Sequence, residues 1–107
     1  MTFDKIVFGI ALVALVAAGA ANAAEYEVVQ KNKAFSPKEL NIKVGDTVKF
    51  TNEDNFFHNV FSLSDLKTFD LGSYPKGEFK SVTFDKAGKV EVECAIHPSM
   101  LMIINVQ

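Results

Sequence analysis

Cys94 and His97 stand three residues apart in the stretch VECAIHPSMLM, residues 92–102, with Met100 and Met102 close behind. His58, the only other histidine, lies well upstream. Thiolate, imidazole and thioether are the side chains that soft transition-metal ions favour. The counts restrict the chemistry they could support. A structural zinc site closes with four cysteine or histidine ligands, and this chain offers only His58, Cys94 and His97. Iron–sulfur clusters need several thiolates and c-type haem a Cys-x-x-Cys-His run; a single cysteine supplies neither. Two imidazoles, one thiolate and a weakly held methionine sulfur are the donor set of a type-1 copper centre. Taken singly, an inward cysteine is usually inert core, His97 a surface histidine and His58 the end of a strand. It is the conjunction of all three that points to a metal. A hydrolase built on Cys94 would need an activating base, for which the rest of the pattern offers no support.

The elements that must position these residues follow a leader. Residues 1–23 carry Lys5, an apolar run from Ile6 to Ala20 and a small-x-small ending at Ala21-Asn22-Ala23, the pattern of a secretory signal peptide. The run falls short of the roughly 20 residues a membrane-spanning helix requires. Cleavage before Ala24 is therefore expected, with no stable membrane association afterwards. Residues 24–107 suffice for one small domain. The net charge is −2, and removing Lys5 together with Asp4 leaves it unchanged. The chain contains no arginine and no basic block, so the composition excludes nucleic acid as a partner. One cysteine cannot staple an exported domain by itself, and an unprotected thiol there must be buried or coordinated.

Periodicity in residues 24–107 is two rather than 3.6. ELNIKVGDTVKFTN places Leu40, Ile42 and Val44 on one face, turns at Gly45-Asp46 and resumes with Val48 and Phe50 inward, which reads as two half-buried strands joined by a tight turn. EYEVVQ, HNVFS, FKSVTF, KVEVEC and LMIINVQ read as further strands. SLSDLKTFDLGS is the least regular stretch and is expected to cross between sheets. Turn signals recur every eight to twelve residues or so, and no convincing helix appears. This predicts an all-β Greek-key sandwich of about seven to eight strands. In KVEVEC the thiol of Cys94 shares the inward face of Val90 and Val92 and closes the strand, at a pole of the sandwich where His58 can meet it.

The run Cys94-Ala95-Ile96-His97-Pro98-Ser99-Met100 resembles the copper-ligand loop of cupredoxins, with the short spacing of amicyanin. FSPKELNIKVGDTVKFTNED followed by HNV is similar to the plastocyanin and amicyanin pattern, so the resemblance extends from about Phe35 to Val106. It implies a type-1 copper protein of the periplasm, a monomer, carrying single electrons between redox proteins such as a c-type cytochrome, a dehydrogenase or a peroxidase. It assigns His58, Cys94 and His97 as metal ligands, Met100 as the axial sulfur, and Asn59 as a brace of the ligand loop through hydrogen bonding. The resemblance implies about seven residues after the axial sulfur, and seven follow Met100 but five follow Met102; Met102 also shares the parity of Ile104 and Val106, as a packed residue does. By the same resemblance the ring edge of His97 is the electron port, framed by Ile96, Pro98 and Phe57, with Phe56 or Phe57 lining the surface near the metal. The competing expectation is copper delivery or tolerance with the same ligands, against which stands the lack of Met-rich or His-rich tails.

Overall fold

The computed structural model describes residues 23–107. The expected leader, apart from its last residue, lies outside the described residues. Nine strands follow: β1 (Glu25–Lys31), β2 (Ala34–Ser36), β3 (Glu39–Ile42), β4 (Thr47–Asn52), β5 (His58–Ser62), β6 (Phe69–Tyr74), β7 (Phe79–Thr83), β8 (Gly88–Cys94) and β9 (Leu101–Val106). No helix occurs among the described residues. The strands form two sheets, ordered β2-β1-β4-β7 and β3-β9-β8-β5-β6.

Alternation of apolar and polar residues makes this a sandwich, because each sheet has one face that must leave water. Val48, Phe50 and Asn52 of β4 are buried and alternate with half-exposed neighbours. From the other sheet Val60, Val90, Val92, Met102 and Ile104 are inaccessible to solvent. Burying side chains of this size contributes about 1.5–3 kcal/mol each. Phe50 meets Phe35 edge-on at 6.5 Å between ring centroids, and Phe69 meets Phe84 in the same way at 6.2 Å.

Three features depart from the expectations drawn from the sequence. The turn at Gly45-Asp46 does not close a hairpin: β3 pairs with β9, whereas β4 pairs with β1 and β7. The chain there passes from one sheet to the other, and Val44, expected inside, is 48% exposed beyond the end of β3. The stretch expected to cross between sheets instead supplies β6, an edge strand that pairs with β5 through a register shift after Asn59. The crossing comes later, between β6 and β7 in the opposite sheet. Finally, β2 is a short strand that hairpins back on β1 through Asn32 and Lys33, both with positive φ (56° and 57°), the backbone of a type I′ turn.

The strand order places the chemistry. β5 and β8 are neighbours, with Val60 opposite Cys94. His58, two residues before Val60, therefore opens β5 at the pole where Cys94 ends β8. The loop 95–100 joins β8 to β9 over that same pole.

Candidate metal centre

His58 and Cys94 are buried and His97 is half-buried. His58 Nδ1 lies 3.6 Å from Cys94 Sγ and 3.2 Å from His97 Nδ1, and Cys94 Sγ lies 3.8 Å from His97 Nδ1. Three donors bound to a common ion at about 2.0–2.3 Å, the range for imidazole nitrogen and thiolate sulfur, stand about this far from one another. The arrangement fits a metal with mixed nitrogen and sulfur preference. Met100, buried at the end of the loop, is tied back by its amide, which donates to the His97 carbonyl at 2.9 Å. Met102 lies in β9 opposite Val92 and packs inward with Ile104 and Val106.

The outer edge of His58 is fixed by a carboxylate. His58 Nε2 lies 2.8 Å from Asp54 Oδ2, so Nε2 carries the proton and Nδ1 is left with its lone pair facing Cys94 and His97. Asp54 also accepts from the amides of Asn32 at 2.7 Å and Lys33 at 3.0 Å. Burial by itself would push the Asp54 carboxyl up. The bonds from the Lys33 amide, the His58 ring and the Asn32 amide outweigh it and hold the group below the usual carboxylate range. Asn52 closes the loop beneath: its Nδ2 donates to the carbonyls of Phe56 (2.8 Å) and Tyr74 (2.9 Å), and its Oδ1 accepts from the Asp54 amide at 2.8 Å.

Asn59 braces the ligand loop, but with its backbone. Its amide donates to Cys94 Sγ at 3.3 Å and its carbonyl accepts from the Ala95 amide at 3.1 Å, while its side chain reaches away to Asp70 at 3.1 Å. A hydrogen bond to the sulfur draws off charge and fixes the thiolate direction. Phe56 packs against both imidazoles, with centroids 5.3 Å from His58 and 5.2 Å from His97. Phe57 and Ile96 are exposed nearby in sequence. Burial lowers the His97 pKa, and the neighbouring His58 ring and the Lys33 ammonium lower it further against the pull of Asp54.

The structure thus brings His58, Cys94 and His97 together from one strand start, one strand end and one loop, with Met100 buried at the end of that loop. Asp54 is the residue that sequence reading missed. Its four-residue offset from His58 is visible in the sequence, but an offset inside a loop says nothing about direction.

A two-sheet sandwich with a His-Cys-His cluster at one pole defines a cupredoxin-type copper protein. The model of the copper binding proteins of the plastocyanin/azurin family matches residues 22–107, and the chain belongs to that family. It is 32% identical over 87 residues to the methylamine utilization protein MauL of Methylorubrum extorquens, covering 80% of this chain and 76% of MauL. The structure of a copper(I) amicyanin variant superposes with a TM-score of 0.73 at 28% identity, covering 82% of this chain and 89% of that one. The copper-containing nitrite reductase of Thermus scotoductus superposes with a TM-score of 0.72 at 33% identity, over 78% of this chain but only 22% of the reductase. Copper is the cofactor that family and donor set agree on.

Proposed function

We propose that this protein is an exported carrier of single electrons, with copper held by His58, Cys94, His97 and Met100. The observation that carries the reading is the donor cluster itself: one ligand atom each from His58, Cys94 and His97, all within 4.8 Å of one another on rigid strand ends and one short loop. Bound copper supplies the one-electron couple; the chain supplies the fixed frame. Donors already set by the β5–β8 pairing, the Asn59 amide and the Asp54 carboxylate need little movement between oxidation states, which keeps the reorganisation cost small. His97, the least buried of the three, offers its ring edge as the route in and out. Ile96, the residue before it, and Phe57, the residue before His58, are exposed and would supply a small apolar face suited to brief contact.

The partners would be redox proteins such as a c-type cytochrome, a dehydrogenase or a peroxidase, met in the periplasm after removal of residues 1–23, with this chain acting as a monomer. The leader pattern supports that location. An enzymatic role is disfavoured because both histidines are committed to one cluster. Copper delivery is the second reading, and the burial of His58 and Cys94 (0% and 1% exposed) argues against ready exchange. Loading the protein with copper and mixing it with a high-affinity chelator tests the choice. Slow metal loss together with fast one-electron exchange supports a carrier, and rapid loss with sluggish exchange makes it a delivery protein.

A further inference from the structure

Beside the ligand loop lies a cleft of about 260 Å³, lined by Lys33, Phe35, Lys38, Ser99, Met100 and Leu101 among others. Its charged residues are both lysines, and no carboxylate lines it. Neither lysine forms an ion pair among the described residues. Glu39, next to Lys38, accepts a hydrogen bond from Asn105 Nδ2 at 2.8 Å on the β3–β9 edge. Asp54 is buried and fully engaged. A positive spot therefore sits at the metal pole of a chain whose net charge is −2.

Lys33 is not placed casually. It occupies the second central position of the β1–β2 turn with φ near +57°, a left-handed backbone that glycine adopts without strain and a lysine does not. Its amide is clamped by the same carboxylate that holds His58. Its Nζ stands 5.8 Å from the Phe56 ring centre, and that ring packs on His97 at 5.2 Å. The ammonium group is thus held about one aromatic ring away from the imidazole that would pass the electron.

Building on the electron-carrier reading, we propose that this cleft anchors the docking face by accepting a carboxylate from a redox partner with an acidic rim. Lys33 and Lys38 supply the charge and the Ser99 hydroxyl a neutral donor. The neighbouring apolar face then seats against the partner with His97 at the contact. Charge complementarity of this kind governs encounter rate and register more than final affinity.

Two one-electron oxidants of opposite charge test it, hexacyanoferrate(III) and tris(phenanthroline)cobalt(III), each mixed with the copper(I) protein in a stopped-flow instrument. In the parent protein, hexacyanoferrate should react faster at low ionic strength than at high, and a hexaglutamate peptide should slow it. The double variant Lys33→Gln/Lys38→Gln should lose roughly three- to tenfold of the hexacyanoferrate rate and all peptide inhibition. Its cobalt rate should stay the same or rise and its visible spectrum should be unchanged, and the Arg/Arg counterpart should restore the parent behaviour. Fast oxidation by both reagents without dependence on the lysines, or an equal loss with both, would overturn the docking proposal alone. Slow oxidation by both in the parent protein would overturn the electron-carrier reading and this proposal with it.

Discussion

Asp54 sits at 2.8 Å from a ring nitrogen whose opposite edge faces the metal cluster, and it is clamped there by two backbone amides. A negative charge so close favours the more highly charged oxidation state. Asp54→Asn is expected to raise the reduction potential, weaken copper binding by about 10–100-fold and destabilise the apo fold by about 1–3 kcal/mol. Potentiometric titration and urea unfolding check the three together, and an unchanged potential would show the carboxylate to be structural only. The two methionines part company by the same kind of test. Met100→Leu should shift the potential and the visible spectrum, whereas Met102→Leu, on the core face of β9, should leave both alone and cost less than about 1.5 kcal/mol. At this scale the sequence was informative where donors lie in one line: Cys94 and His97 declare themselves by spacing and softness, and they meet His58 in one cluster. Asp54 does not, because its role depends on how the loop 53–57 folds under Phe56.

At the scale of elements, parity along KVEVEC and TVKFTN told which side chains turn inward, and those residues are buried. Sheet membership was not legible. A tight turn at Gly45-Asp46 looks the same in sequence whether it closes a hairpin or passes between sheets. Here Asp46 settles it by accepting from the amides of Lys43 (2.9 Å) and Ala24 (2.8 Å). β6 was hidden because its burial pattern is irregular, half-exposed at an edge and interrupted by Gly72 at φ 75°. Asn52 is the element-level pin of the site, joining the end of β4 to Phe56 and Tyr74. Asn52→Ala removes the donor to the Phe56 and Tyr74 carbonyls and the side-chain acceptor of the Asp54 amide. It should cost about 1–3 kcal/mol and broaden the copper spectrum as the 53–57 loop loosens; a variant as stable as the parent in thermal unfolding would contradict this.

For the molecule as a whole, stability should follow its depressed carboxyls. Hydrogen bonds from the Ala24 and Lys43 amides hold Asp46 below its ordinary value of 3.8, and those from Gly72 and Asn59 do the same for Asp70. A carboxyl lowered in the folded state stabilises it above the unfolded pKa and loses that contribution as the pH falls through the folded value. Unfolding free energy should therefore hold steady near neutrality and decline from about pH 5 downward. Asp46→Asn should flatten that decline. Cleavage before Ala24 would turn its amide into an ammonium group facing Asp46, so the same substitution should cost more in a chain starting at Ala24 than in one retaining residues 1–23.

All of this rests on His58, Cys94 and His97 holding one copper ion through a thiolate bond. The visible absorption spectrum of residues 24–107 with one equivalent of copper(II) tests that most directly. An intense blue charge-transfer band that disappears in Cys94→Ser is the predicted result. A pale spectrum without thiolate-to-copper intensity, or a blue band that survives Cys94→Ser, would contradict the account.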